Sequence, residues 1–128
     1  MKEMGVYMIG QTAFNPNTNE KFYRIKVGCS SDVKKRLNQY KTYNPFMFYI
    51  DKVSKEKNRI TAEDTEKIRN MELLFHRLME LFLKLQNDNH TEWYIVCEED
   101  YMDFCEKGFE KFTPIFEQLG INKKSYLF

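Results

Sequence analysis

Near the N-terminus the hydrophobic pattern has the two-residue period of strands. GVYMIGQTAF (5–14) and KFYRIKVGCS (21–30) are two β-rich runs around NPNTNE, a cluster of Asn, Pro and Thr, and together they predict a hairpin. With the turn centred on residues 16–19, Tyr7 stands opposite Gly28, and Lys26 lies diagonally across on the same face. The other face carries Val6, Met8, Tyr23, Ile25 and Val27, a candidate core. A slip of one residue would exchange the faces, so the register is a definite expectation.

The period then lengthens. Ser30, Ser31 and Asp32 have short oxygens suited to cap a helix start, and a helix is expected from Val33 to about Lys41. Val33, Leu37 and Tyr40 share the face that packs on the sheet, and Arg36 lies at its border. FMFYIDKV (46–53) reads as a third strand, followed by SKEKNR as a polar connection. Thr61 is placed to cap a long helix beginning TAEDTEKI, whose early acidic residues favour the helix dipole.

In that helix Ile68, Met71, Leu74, Phe75, Leu78, Leu81, Phe82 and Leu85 recur at helical spacing. Glu72 falls at the edge of this stripe beside Met79, with His76 one turn later on the same side. A carboxylate so placed is half sheltered, as a metal ligand should be. Boundary glutamates and satisfied boundary histidines are nonetheless common, so neither residue identifies a site by itself. TEWYIV (91–96) reads as a fourth strand with Trp93 as a core anchor, and YMDFCEKGFEKF and TPIFEQL as helical segments. The expectation is one α+β domain over 1–128, a small central antiparallel sheet of three to four strands flanked by helices.

Composition alters this picture little, and charge alters it more. The 128 residues, 42% hydrophobic and 16% aromatic, suit one modest core rather than a disordered chain. No run of about 18 apolar residues and no signal-peptide pattern occurs, which leads to the expectation of a soluble, intracellular protein without a membrane partner. Cys29, Cys97 and Cys105 lack CxxC spacing and suggest reduced thiols. The formal charge of +1 hides an asymmetry. Residues 21–59 hold eleven Lys/Arg against three Asp/Glu, net +8, whereas residues 60–128 hold eight against fourteen, net −6. A basic segment is the electrostatic footprint expected for a polyanion, although solvated surface lysines give the same count. The turn in KVGCSSDVKKRL (26–37) therefore has two readings: an ordinary capped junction, or a grip on phosphate.

The order of GVY (5–7), KVG (26–28), Arg36, Glu72 and EWY (92–94) resembles the GIY-YIG nuclease superfamily. The likeness is to its compact phage- and virus-associated branch, with a KIG-type second motif and a Glu-Trp-aromatic closing motif. It spans Gly5 to about Val96, leaving 97–128 as a helical extension; seven residues separate Gly28 from Arg36, similar to the family's spacing. The resemblance implies hydrolysis of a nucleic-acid phosphodiester, DNA by preference, with one divalent ion, Mg²⁺ or Mn²⁺, on Glu72. It implies Tyr7 at the attacking water or phosphate, Arg36 as paired donors to the phosphate, and Lys26 favouring the Tyr7 phenolate or holding phosphate. Gly28, Lys34, Lys35 and Tyr40 are expected to contact substrate, and His76 to support the site. Lys26 stands where most members have tyrosine, and the 18-residue spacer between motifs requires a longer hairpin. Asn87 and Asn89 are the candidates for the family's late asparagine.

Three functions compete. A catalytic endonuclease needs Glu72 and a metal. A non-catalytic nucleic-acid-binding module needs only the basic surface and aromatic platforms such as Tyr23, Tyr40 and Tyr43. A protein-interaction domain would use Phe104, Phe109, Phe112 and Phe116, whose helical spacing is more often core. No recognition domain is expected after Phe128, so low sequence specificity is expected unless a homodimer or a protein partner supplies it. The Asn, Lys, Phe, Tyr and Ile content hints at an AT-rich genome such as a virus or phage has.

Overall fold

In the computed structural model, which describes residues 1–89, 91–122 and 128, the hairpin forms in the expected register. β1 (Lys2–Phe14) and β2 (Lys21–Ser30) pair Tyr7 with Gly28 and Ile9 with Lys26. Its loop closes because Asn15 Oδ1 accepts the Asn17 amide at 2.9 Å and Asn19 takes a left-handed conformation, φ 59°. The remaining elements are α1 (Val33–Tyr43), β3 (Met47–Lys57), α2 (Ala62–Leu81), β4 (Gln86–Asn87), β5 (Trp93–Val96), α3 (Glu98–Lys107), a 3₁₀ turn (Gly108–Phe112) and α4 (Thr113–Leu119). The strands form one antiparallel sheet in the order β3-β1-β2-β5-β4. This is the expected α+β class with one strand more than foreseen, because two residues are too few to leave a periodic signal.

Both faces of the sheet are covered. Val6, Met8, Ile25 and Val27 pack against α2, α3, the 3₁₀ turn and α4, where Phe75 lies 4.7 Å from Phe109 and 5.0 Å from Phe112 between ring centres. The late phenylalanines are thus core. On the other face Tyr7, Ile9, Val33 and Met47 form a smaller cluster beneath α1, with Leu37, Tyr40 and Trp93 at its margin. Asp32 caps α1 by accepting the Lys35 amide at 3.3 Å. Thr61 and Asp64 form a reciprocal capping box on α2. Among the described residues no helix is long and apolar enough to cross a membrane.

Four expectations need correction. β1 begins at Lys2 rather than Gly5, and Lys2–Gly5 supply partners for Ser54–Lys57, so four of the six residues of the supposed polar connection are strand. α2 ends at Leu81, since the Leu83 and Leu85 amides turn back to the Leu78 and Met79 carbonyls. Leu81 and Phe82 are consequently exposed, and Met79 is fully buried. Trp93 is not the core anchor of β5: paired with Lys26, it faces α1 and lies half-buried under Arg24 at 4.7 Å, while Tyr94 and Val96 enter the core. Finally, β3 carries a bulge. Met8 pairs with Asp51 but Ile9 with Tyr49, so Ile50 is an extra residue.

The bulge turns Asp51 toward the 3₁₀ turn, where its Oδ2 accepts the Phe109 amide at 2.9 Å. Gly108 makes this approach possible, with φ 57° and a Cβ position that would lie 2.3 Å from that oxygen. Gly108→Ala is expected to lower the unfolding free energy by about 1–3 kcal/mol. The shift should appear in the urea midpoint, and an unchanged midpoint would refute this account of the junction.

Candidate active site

The ladder between β2 and β5 ends at the pair Lys26 and Trp93, leaving Val27–Ser30 to run on past the start of β5. At this end of the sheet, side chains from its two faces can meet. α1 follows β2 after a two-residue turn and brings Tyr40 over Tyr7, α2 brings Glu72 against Cys29 from the opposite face, and Glu92 precedes β5.

On the α1 side, the Tyr7 and Tyr40 hydroxyls lie 3.2 Å apart. Lys26 Nζ donates to the Tyr40 hydroxyl, stands 3.3 Å from Glu92 Oε2 and lies 4.6 Å from the Tyr40 ring centre. Its side chain is only 12% exposed. Tyr7 is fully buried, and its ring occupies the space over Gly28: a Cβ there would fall 2.5 Å from the Tyr7 hydroxyl oxygen. The glycine thus makes room for Tyr7.

The two phenols are driven apart in acidity. Burial, then the Tyr40 hydroxyl, pushes Tyr7 far above the ordinary tyrosine range, with Arg36 only partly opposing. Burial also acts to raise Tyr40, but hydrogen bonds from Lys26 and Tyr7 and the Lys26 charge outweigh it and lower that phenol. The expectation that Lys26 activates Tyr7 is corrected: Lys26 reaches Tyr40 because α1 interposes it.

On the α2 side, Glu72 collects donors. The Cys29 thiol donates to Glu72 Oε2 at 3.1 Å, and His76 Nε2 lies 3.4 Å from Oε1. Burial would raise the Glu72 carboxyl, yet its contacts with His76, Glu92 and Cys29 hold it down to about 2, so it is ionised at neutral pH. Burial and then Glu72 push the Glu92 carboxyl up, against the pull of Lys26. His76 Nδ1 lies 2.7 Å from the Tyr94 hydroxyl, which itself donates to Glu80 at 3.2 Å. Because that hydroxyl gives its proton to Glu80, Nδ1 is the donor to it, and Nε2 faces the Glu72 carboxylate. Nε2 has no hydrogen-bond partner of its own. An imidazole nitrogen and a carboxylate facing each other suit a cation between them.

Among the described residues no three His, Cys, Asp or Glu side chains group as a metal cage. An ion of the magnesium type needs none, being held by one or two carboxylates with waters and phosphate oxygens. Glu72 and its neighbours border an open cleft of about 630 Å³, with Arg69, Arg77, Asn87 and Thr91 on its walls.

Tyr7, Lys26, Gly28 and Tyr40 therefore converge, Glu72 and His76 converge, and Glu92 joins the two groups. Arg36 is exposed one turn before Tyr40 and near enough for its charge to act on Tyr7. Lys34 and Lys35 lie on the outer side of α1, away from this centre. Asn87 holds the turn before β5 by donating to the Thr91 and Trp93 carbonyls at 2.6 and 3.2 Å. Sequence reasoning gave no role to Glu92, Cys29 or Arg69. Glu92 was visible within EWY, but its contact with Lys26 follows from a β2–β5 pairing that no local pattern announces.

The T5orf172 domain family matches residues 4–107 of the chain. No curated protein and no solved structure matches it.

Two outcomes are expected from the phenol pair. Ultraviolet titration should show one tyrosine ionising below the usual range, lost in Tyr40→Phe and shifted upward in Lys26→Met; a titration unchanged by both variants would contradict the assignment. Gly28→Ala should cost about 1–3 kcal/mol in denaturant unfolding by displacing Tyr7.

Proposed function

This chain belongs to the T5orf172 domain family, a GIY-YIG-like group associated with nucleases, and on that premise we propose that it is a metal-dependent endonuclease acting on nucleic-acid phosphodiesters, DNA by preference. The observation that carries this reading is the 3.3 Å contact between Lys26 and Glu92, which ties the phenol pair to the Glu72 carboxylate in one site.

Glu72 would hold one Mg²⁺ or Mn²⁺, with Glu92 and His76 Nε2 within reach and waters and phosphate oxygens completing the shell. When bound, the ion neutralises charge on the scissile phosphate. Arg36, exposed on α1, offers paired donors to the non-bridging oxygens as charge builds on them. Tyr40 is the better base of the two phenols, because Lys26 stabilises its phenolate. It takes a proton from the attacking water as the P–O bond opposite breaks, and the leaving oxygen is protonated from solvent. Tyr7 stays protonated and orients the Tyr40 oxygen by hydrogen bonding, a positioning residue rather than one that meets substrate. Arg69 and Arg77, on the cleft wall, are placed for phosphates flanking the cut.

The test is cleavage of supercoiled plasmid by the purified protein with Mg²⁺ or Mn²⁺ and with EDTA. Metal-dependent nicking should fall about 10²–10³-fold in Arg36→Ala and at least about 10²-fold in Tyr40→Phe, and vanish in Glu72→Ala. Salt-sensitive DNA binding without any cleavage by the wild type would replace the nuclease with a binding module.

A further inference from the structure

α1 and β3 enclose a groove on the flank of α1 away from Arg36. Val33, Leu37 and Tyr40 set α1 on the sheet, and at about 100° per residue Lys34, Asn38 and Lys41 recur along one flank while Arg36 and Tyr43 lie along the other. The first flank meets β3, where Tyr49 and Lys52 complete a groove of about 240 Å³. Residues three apart on a strand ordinarily point to opposite faces; the bulge at Ile50 brings Tyr49 and Lys52 to the same one.

The groove combines unpaired positive charge with exposed aromatic surface. Lys52 is bound to Glu3 at 2.8 Å, but Lys34 and Lys41 have no carboxylate partner among the described residues. Tyr49 is 44% exposed in the groove, the segment joining α1 to β3 adds Phe46, 77% exposed, and Tyr43 at the end of α1 is 86% exposed on the Arg36 flank. Among the described residues, four of the twelve exposed large hydrophobics lie within positions 43–49, a concentration that scattered surface exposure does not produce. The fourth, Phe48, points to the other face against Tyr101.

Ammonium groups without counter-charges select a polyanion over an apolar protein surface. Aromatic rings beside them select one whose bases are free to stack, and a duplex keeps its base faces hidden. We propose that the α1–β3 groove binds an unpaired nucleic-acid segment, with a base stacked on Tyr49, phosphates on Lys34 and Lys41, and Phe46 extending the stacking surface at the helix end. The proposal rests on the nucleic-acid reading of the active site and gives its substrate class: a strand with unpaired nucleotides across α1 from the phosphate that Arg36 would hold.

The test uses the full chain carrying Glu72→Ala, in EDTA, so that binding is read without cleavage. Fluorescence anisotropy follows a labelled single-stranded oligonucleotide and a blunt duplex of the same sequence. Tyr49→Ala should weaken single-strand binding about tenfold or more and leave duplex binding unchanged, while Tyr49→Phe keeps wild-type affinity because the ring alone stacks. Lys34→Ser with Lys41→Ser should reduce the single-strand salt slope, log Kobs against log salt, by about 1.4. An unchanged single-strand affinity in Tyr49→Ala overturns the proposal. Equal weakening on duplex overturns it, as does a sedimentation shift from dimer to monomer in Tyr43→Ser with Phe46→Ser, which would assign the aromatic surface to a second copy. Failure of the nuclease reading appears separately, as wild type that never nicks plasmid.

Discussion

The site depends on the position of one ammonium group. Lys26 is largely buried, and a cation taken out of water must find compensating partners or unfold the region around it. Its partners come from different parts of the chain: the Tyr40 hydroxyl from α1 and the Glu92 carboxylate from the entry to β5. Glu92 in turn lies close enough to Glu72 on α2 for each to shift the other's acidity. A single side chain therefore ties the helix on one face of the sheet to the helix on the other. Without it the phenols and the carboxylates would be two unrelated clusters.

That arrangement requires a sheet covered on both faces, and a chain of 128 residues has little material for it. The larger core takes the aromatic C-terminal segments, and α1 covers the other face with a short apolar stripe. The fit beneath α1 is close because the Tyr7 ring fills the space that a side chain at position 28 would need. Gly28 thus acts through packing: it fixes where a buried phenol sits, and so where the Tyr40 oxygen points.

Charge follows the same division. The basic stretch supplies α1 and β3, leaving lysines and Arg36 along the outside of one face. The acidic stretch supplies α2 and α3, where Asp103 accepts from Lys107 and Lys111 and Asp64 anchors Lys57. Glu72 is ionised because neighbouring donors outweigh its burial. The protein can present a carboxylate to a cation on one side of the sheet end and a positive surface to phosphate on the other.

The sequence by itself determined the elements whose signals are local and periodic: the hairpin and its register, the capped α1 and α2, and a buried stripe with Glu72 at its edge. It also carried the match to the T5orf172 domain family over residues 4–107. Its alternation of two placed Tyr7, Lys26 and Gly28 on one face, since register follows from turn position. Tertiary structure decided what those residues touch. A bulge at Ile50, the early end of α2 and a two-residue β4 leave no periodic trace. Acidity was equally out of reach: Lys26 lowers Tyr40 rather than Tyr7 because of where α1 sets its side chains down, and Glu92 enters the site only because β5 pairs with β2. Both depend on contacts between residues far apart in the chain, and local pattern does not record such contacts.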